Sequence, residues 1–143
     1  MITFASKQNL EEIIEIANEQ FKSEAWTKSQ FESEFEQNNR FFLVFTNENK
    51  VIAYLIAMIN QDEVEILDIA VKSSFQGKGI ASMLLNELFN KLQKNNVNKC
   101  FLEVKEDNIK AISLYKKFLF KEIYIRKKYY KDGKNAIIME RKC

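Results

Sequence analysis

The stretch Gln76-Gly77-Lys78-Gly79-Ile80-Ala81 constrains this chain more than any other segment. It follows an apolar run typical of a strand, from Val64 to Val71, and precedes a helical pattern that extends to about Lys94. Two of the three glycines of the chain lie in it, and glycine allows backbone conformations and close approaches that other residues resist. A helix that begins here directs free N–H groups and the positive end of its dipole at a ligand. The stretch therefore predicts a cradle for a pyrophosphate group.

The rest of the pattern predicts a mixed α/β fold. At 143 residues the chain is expected to form a single domain, 1–143. Apolar periodicity gives the order α-α-β-β-β-α-β-α-β-β with a further strand in front, and hence one sheet flanked by helices. We predict helices over 9–21, from 27 onward, over 81–94 and over 108–118, and strands over 2–5, 41–46, 51–60, 64–71, 99–104, 123–129 and 135–141. The last two strands are predicted to form a hairpin around a turn at 131–134.

Composition excludes several classes of site. The chain has no histidine, so histidine-based triads and histidine metal sites are excluded, and its two cysteines, Cys100 and Cys143, have no metal-binding spacing. We therefore expect no metal. The net charge of +2 gives no reason to expect nucleic-acid binding, although basic residues crowd the C-terminal end. Neither a signal peptide nor an apolar run of membrane-spanning length is visible, so we expect a cytoplasmic protein without membrane contact.

Two motifs resemble those of a known family. The chain has neither a dinucleotide fingerprint nor a P-loop, but Q-x-x-G-x-A at Gln76 resembles the acetyl-coenzyme A signature of the GNAT family of N-acetyltransferases. The pattern from Asn108 through Ala111, Leu114 and Tyr115 resembles that family's N-x-x-A-x-x-L-Y segment. Taken alone, the short glycine motif also suits an ordinary strand-to-helix turn. The resemblance implies the GNAT fold: one mixed, mostly antiparallel sheet of six to seven strands flanked by about four helices.

The resemblance also implies acetyl-coenzyme A as co-substrate and assigns residues to it. The strand before the loop pairs with the pantetheine arm in this family, and the loop amides hold the pyrophosphate. The Lys78 side chain either adds a charge near phosphate or is simply solvated. Asn108 is first of all a helix N-cap by its position, and by resemblance it also hydrogen-bonds the coenzyme. The residues so assigned are Ile69, Ala70, Val71, Gln76, Gly77, Lys78, Gly79, Ile80, Ala81 and Asn108.

Glu103 is the candidate general base. It lies in the apolar strand pattern 100–104, where alternation puts it on one face with Phe101. A carboxylate in such a strand is costly unless it meets solvent or a partner, so a half-buried glutamate in an ion pair is the alternative. The resemblance favours a base that acts on the amine directly or through water.

Tyr115 is the candidate acid. Its helical spacing with Ala111, Ile112 and Phe118 also suits a core tyrosine. The family places a tyrosine at this point near the coenzyme sulfur, where its hydroxyl can donate to the leaving thiolate. A backbone N–H near Val71 is the candidate for oxyanion stabilisation.

Three further segments resemble the bacterial ribosomal-protein alanine N-acetyltransferases, the RimI type within the family. They are Ala25-Trp26-Thr27-Lys28-Ser29-Gln30-Phe31, Leu102-Glu103-Val104-Lys105, and the ending from Ile125 to Met139. This implies that the acceptor is a protein N-terminus, the N-terminal alanine of a small-subunit ribosomal protein, with Trp26, Tyr129 and Tyr130 near it. Trp26 is equally suited to anchor the start of the second helix, and the two tyrosines to core positions at a strand end.

The chain departs from the family pattern at three places. Leu119 replaces the glycine that usually ends the tyrosine helix, Ala25 replaces a proline, and Lys127 replaces the second arginine before the hairpin. The last change bears on peptide affinity. Transfer to a small free amine or to lysine, and a non-catalytic acyl-coenzyme A sensor, are the alternatives to N-terminal acetylation. We expect a monomer or a weak homodimer.

Overall fold

One seven-stranded sheet with helices on both faces forms the body of the computed structural model, which describes residues 1–143. The strand order is β1-β2-β3-β4-β5-β7-β6, and all neighbours are antiparallel except β4 and β5. The strands are β1 (Ile2–Phe4), β2 (Arg40–Asn47), β3 (Lys50–Asn60), β4 (Glu63–Val71), β5 (Lys99–Lys105), β6 (Lys121–Arg126) and β7 (Ala136–Lys142). The helices are α1 (Leu10–Phe21), α2 (Lys28–Glu34), α3 (Ile80–Leu92) and α4 (Ile109–Lys117), with short 3-10 turns at Lys7–Asn9, Lys22–Glu24 and Ser73–Phe75. The predicted fold class is confirmed.

The central strand β3 shows why the sheet carries two cores. Its side chains alternate between the faces, so Leu55 packs on the face covered by α3 and α4, whereas Tyr54 and Ile56 pack on the face covered by α1 and α2. The α3–α4 face holds the larger cluster, of 21 buried residues against 11. We refer to the two sides as the α3–α4 face and the α1–α2 face.

The start of α2, where the second helix is predicted to begin, is a capping box. The Thr27 hydroxyl accepts from the Gln30 N–H, and the Gln30 side chain accepts from the Thr27 N–H, at 3.2 and 2.7 Å. This pairing satisfies two backbone donors that a helix start otherwise leaves free. The Trp26 ring, just before the cap, packs on Phe31 with ring centroids 5.3 Å apart, so Trp26 does anchor the helix start.

The end of α4 keeps the geometry of a glycine cap without the glycine. Leu119 takes a left-handed conformation, with φ of 71°. The N–H of Phe120 donates to the Tyr115 carbonyl and the N–H of Leu119 to the Lys116 carbonyl, both at 3.0 Å. This is the Schellman pattern, which normally has glycine at the left-handed position. The helix therefore stops where the family's glycine would stop it, with a strained leucine in that place.

The closing hairpin differs from the prediction. The strand predicted over 123–129 runs from Lys121 to Arg126, because Lys128 turns to a left-handed φ of 52° and its N–H donates to the Asn135 side chain at 2.9 Å. Tyr129 and Tyr130 consequently lie in the connection 127–135, not in a strand.

The parallel pair β4–β5 is short. The two strands are paired only from Glu63 with Lys99 to Ile66 with Leu102. Directly afterwards the pairing of β4 with β3 shifts register between Ile56 and Ala57, which makes Leu67 the extra residue of a bulge. A bulge bends its strand and increases the local twist. From Leu67 onward, β4 therefore leaves β5 and opens a split in the sheet.

Neither thiol is in a disulfide; Cys100 is buried and Cys143 is exposed. Each helix is too short or too polar to cross a bilayer.

Candidate active site

A continuous run of unpaired amides lies at the start of α3. No N–H group from Gly77 to Ser82 donates a hydrogen bond within the protein. Gly77 and Gly79 both adopt φ of 78°, a left-handed conformation that favours glycine. A Cβ atom at either glycine would meet nothing within 4 Å, so the space in front of the loop is open. Free amides at a helix N-terminus with open space before them fit a pyrophosphate group.

The structure places Gln76 in a supporting position. Its N–H donates to the Ser73 carbonyl at 3.3 Å, so the run of free amides starts one residue later than predicted. Its side-chain amide donates to the Val71 carbonyl at 3.0 Å and to the Gln20 side chain at 2.8 Å. Gln76 thus ties the loop to the end of α1. The Lys78 ammonium lies 5.1 Å from the centroid of the Phe75 ring, beside the open side of the loop.

The open edge of β4 faces the split. Ile69, Ala70 and Val71 pair with β3 on one side only. The Lys72 N–H donates to Ile52 of β3 at 2.8 Å, and successive N–H groups of a strand point to opposite edges. The N–H of Val71 therefore points into the split, as does that of Ile69. These groups can take an added extended chain and can donate to a carbonyl oxygen.

Glu103 lies on the α1–α2 face, one residue beyond the last β4–β5 pair. Its neighbours Leu102 and Val104 are buried in the opposite core, which confirms the predicted alternation. The Glu103 carboxylate is accessible, with 27% of its side chain exposed, and its Oε1 lies 3.4 Å from Nε of Arg126. The base and ion-pair interpretations of Glu103 are thus compatible: a solvent-facing carboxylate has a cation beside it.

Asp68 is a second carboxyl at the split. The Tyr54 hydroxyl donates to its Oδ2 at 2.8 Å, and its cross-strand partner is Ile56 of the α1–α2 core. Withdrawal of the carboxyl group from water raises the pKa of Asp68 to about 6. Asp68 thus follows the bulge on the same face as Glu103, on the opposite strand.

Tyr115 lies on the other face of the sheet. Its ring is buried in the α3–α4 core against Phe120, with centroids 5.8 Å apart. The Tyr115 hydroxyl makes no hydrogen bond in the protein. Every fully buried side-chain oxygen of the chain has a hydrogen-bond partner, so the Tyr115 oxygen is in contact with solvent. Burial raises the pKa of Tyr115, and the charge of Asp68 raises it further. The hydroxyl is therefore protonated at neutral pH and can donate.

Asn108 caps α4, as predicted. Its side-chain oxygen accepts from the Ala111 N–H at 3.3 Å. The cap leaves the side-chain NH₂ group without a partner in the protein, so Asn108 can donate to a ligand while it holds the helix.

Both tyrosines of the connection 127–135 lie against cations of the α1–α2 face. The guanidinium of Arg126 is 5.6 Å from the Tyr129 ring centroid, and the ammonium of Lys105 is 5.3 Å from that of Tyr130. Burial, and then the charge of Glu103, raise the pKa of Tyr130 to about 12. The two rings meet edge to face at 5.2 Å. Tyr130 and Glu103 therefore lie close together on the α1–α2 face.

The model of the acetyltransferase (GNAT) family matches residues 10–120, which span every element described here from α1 to α4. The chain belongs to the GNAT family of acetyltransferases. Membership makes it an acetyl-coenzyme A-dependent N-acetyltransferase, and the free amides at α3 and the split beside β4 suit the coenzyme of a GNAT enzyme.

Individual GNAT proteins resemble two thirds or more of the chain. It is 36% identical to the ribosomal protein bS18-alanine N-acetyltransferase of Escherichia coli (strain K12) over 118 residues, 80% of this chain and 78% of that one. The corresponding protein of Haemophilus ducreyi is 39% identical over 101 residues, 68% of this chain and 70% of that one. The crystal structure of the ribosomal-protein-S18-alanine N-acetyltransferase from Escherichia coli superposes with a TM-score of 0.90 at 30% identity, covering 99% of this chain and 92% of that chain.

Several polar residues of this GNAT site escaped the sequence interpretation. Glu65 is half-buried on the α1–α2 face, where burial and then the charge of Glu103 raise its pKa. Glu65 and Asp68 carry the signal that identified Glu103, a charge in an apolar strand. Lys105 and Arg126 carry none, because they meet their partners only in the fold. No group of three or more His, Cys, Asp or Glu side chains is placed to hold a metal ion.

Proposed function

We propose that this GNAT enzyme transfers the acetyl group of acetyl-coenzyme A to the α-amine of a protein N-terminus, specifically the N-terminal alanine of a small-subunit ribosomal protein. The observation that carries the proposal is the position of Glu103. Its carboxylate is accessible on the α1–α2 face, directly beyond the point where β4 and β5 part. The acceptor enters there, in a groove between the α1–α2 connection (22–27) and the connection 127–135. A groove bordered by two connections suits an extended chain end. The names of the relatives from Escherichia coli and Haemophilus ducreyi support the acceptor.

The chain offers separate groups for the parts of the co-substrate, which supplies the acetyl group as a thioester. The amides from Gly77 to Ala81 bind the pyrophosphate, with Lys78 beside them. Ile69, Ala70 and Val71 add the pantetheine arm as an extra strand along their open edge. Asn108 donates its free NH₂ group to the same arm. Gln76 holds the loop in place through its side chain rather than through its N–H.

Proton transfer is divided between the two faces of the sheet. On the α1–α2 face, Glu103 removes a proton from the acceptor ammonium, directly or through a water molecule. On the α3–α4 face, the protonated Tyr115 hydroxyl donates to the departing sulfur. In the split between them, the Val71 N–H donates to the oxygen on which negative charge develops. The proposed base and acid therefore belong to opposite faces of the sheet.

The acidity of the acceptor suits a single carboxylate base. An α-amino group has a pKa near 7.7–8.0, whereas a lysine has one near 10.4. Roughly a tenth of the former is neutral at pH 7, against under about a thousandth of the latter. General base catalysis contributes about 10²–10⁴-fold. This contribution is better matched to the α-amino group, for which the shortage of neutral amine is the smaller.

The test compares acceptors. The enzyme and labelled acetyl-coenzyme A are offered a hexapeptide that begins with alanine and contains an internal lysine. The same peptide with a blocked N-terminus, and a panel of small amines including polyamines, are offered separately. We expect label in the free peptide alone. Equal labelling of the blocked peptide would show a lysine enzyme, and labelling confined to small amines would show that the groove does not take a chain. Titration calorimetry with acetyl-coenzyme A checks the binding step separately.

A further inference from the structure

One lysine connects both walls of the groove. Lys105 is the last residue of β5, two positions after Glu103 and therefore on the same face of the sheet. Its ammonium lies 3.0 Å from a carboxylate oxygen of Glu24 and 2.7 Å from one of Asp132. Glu24 belongs to the connection between α1 and α2, and Asp132 to the connection 127–135. The same ammonium lies over the Tyr130 ring, 5.3 Å from its centroid.

The pair between Lys105 and Glu24 is less exposed than every other ion pair of the chain except that between Arg40 and Glu34. Only 22% of the Lys105 side chain and 24% of that of Glu24 are exposed, whereas both partners of the pair between Lys7 and Glu36 are more than two-thirds exposed. The ammonium donates to both carboxylate oxygens of Glu24. Exposed single pairs contribute little, while charges in a partly enclosed network hold geometry better. Lys105 is therefore able to fix the distance between the two connections.

Neither connection has a comparable alternative anchor on the other. The connection 127–135 is also held by Lys134 on Asp107 and by Asn135 on Glu106, but both of these contacts lead to the β5–α4 corner. The turn that contains Glu24 is closed by a local bond from the Ala25 N–H to the Lys22 carbonyl, at 3.1 Å. Lys105 is the one cation within ion-pair distance of both walls.

We propose that Lys105 is a positioning residue for the acceptor: it sets the width of the groove by binding Glu24 and Asp132 together, and so aligns the incoming α-amine with Glu103. This inference rests on the proposed function, since it concerns the chain end that the groove accepts. Lys105 does not touch the coenzyme cradle, so its effect is confined to the acceptor.

The experiment replaces the charge and keeps the length of the side chain. In Lys105→Met, we expect KM for the alanine peptide to rise about tenfold, because misplacement of a reacting group by about an ångström costs up to 10²-fold. The dissociation constant of acetyl-coenzyme A should not change. Lys105→Arg should restore KM, since a guanidinium can bind both carboxylates. Lys131→Met, which removes an exposed lysine without an ion-pair partner from the same connection, is the matched control and should leave KM unchanged.

Hydrogen–deuterium exchange of the same variants separates this inference from the proposed function. Amides in the peptides covering 22–27 and 128–135 should exchange about fivefold faster in Lys105→Met, as expected for loss of about 1 kcal/mol, and should recover in Lys105→Arg. If the wild-type enzyme does not acetylate the peptide but amides in both segments still exchange faster in Lys105→Met, the proposed acceptor is wrong and the role of Lys105 in holding the two connections together stands. If exchange in either segment is unchanged in Lys105→Met, or if its KM equals that of the wild type, the role proposed for Lys105 is overturned.

Discussion

Nε of Arg126 lies 3.4 Å from Oε1 of Glu103 and thereby connects the outermost strand β6 to β5 across β7. On β7, Ala136 pairs with Arg126 on one side and with Lys105 on the other. The contact between Arg126 and Glu103 therefore runs diagonally across β7. The proposed base therefore has its counter-charge in place before an acceptor arrives.

Glu103→Gln should lower kcat by about 10²-fold or more, because the amide cannot accept a proton from the acceptor. The dissociation constant of acetyl-coenzyme A, measured by calorimetry, should remain that of the wild type. Glu122→Gln is the control, since it changes a carboxylate of β6 that is 45% exposed and has only a distant lysine partner. Unchanged turnover in Glu103→Gln would remove Glu103 from the mechanism.

Tyr115→Phe should lower kcat about 10- to 100-fold while the variant stays folded. The hydroxyl has no partner in the protein, so its removal breaks no hydrogen bond. Tyr54→Phe is the comparison variant, because the Tyr54 hydroxyl does have a partner and donates to Asp68. Loss of that hydrogen bond should lower the free energy of unfolding by about 1 kcal/mol. Urea titrations of both variants distinguish the two cases. A destabilised Tyr115→Phe with normal turnover would show a purely structural tyrosine.

Gly79→Ala should weaken acetyl-coenzyme A binding about tenfold, which corresponds to about 1.4 kcal/mol. The left-handed φ is strained for alanine, and the added methyl group enters the space before the free amides. Gly133→Ala provides the control: its φ of 84° carries the same strain and its surroundings are equally open, but it lies in the connection 127–135. Calorimetry on the pair should show weakened coenzyme binding in Gly79→Ala only, with similar losses of stability.

Asp68 should make the protein less stable as the pH rises from about 4 to above 6. The folded carboxyl has a pKa of about 6 against 3.8 for the ordinary group, so the folded state holds a proton that the unfolded state has already lost. Stability linked to this group is complete below about pH 4 and is lost through pH 6, on the order of 3 kcal/mol. Asp68→Asn removes the titration. Urea unfolding at several pH values between 4 and 7.5 should show a smaller fall in the variant; parallel curves would refute the assignment.

Leu119→Gly should stabilise the protein by up to about 1 kcal/mol. Leucine at φ of 71° costs about 1–2 kcal/mol, which exceeds the extra entropy that glycine loses on folding. Leu119 is 72% exposed, so little burial is lost. Thermal unfolding of the two proteins measures the difference, and a lower melting temperature for the glycine variant would contradict it.

Local patterns were sufficient wherever a neighbouring residue determines the structure. The glycine pair before a helical pattern predicted free amides at the start of α3, the position of Asn108 predicted a helix N-cap, and strict alternation in β5 predicted the face of Glu103. Each of these depends on residues within a few positions of one another.

Long-range contacts explain what the sequence did not predict. Lys105 meets Glu24 across 81 positions, and the bulge at Leu67 arises from the pairing of β4 with β3. Tyr129 and Tyr130 lie outside the strand that was predicted to contain them, because the Lys128 N–H donates to the Asn135 side chain and the chain turns there. Leu119 stands where the family has glycine, yet it takes the glycine conformation and both cap hydrogen bonds form.

The position of β7 between β5 and β6 affects how the protein is made. β6 has β7 as its only partner, and Glu103 pairs with Ile138 of that strand. A ribosome synthesises about 5–20 residues per second from the N-terminus, so the coenzyme loop at 77–82 emerges before the strand that fixes Glu103. Glu103 therefore gains its pairing on the β7 side only after nearly all of the chain has left the ribosome, so the proposed base is held in place late in synthesis.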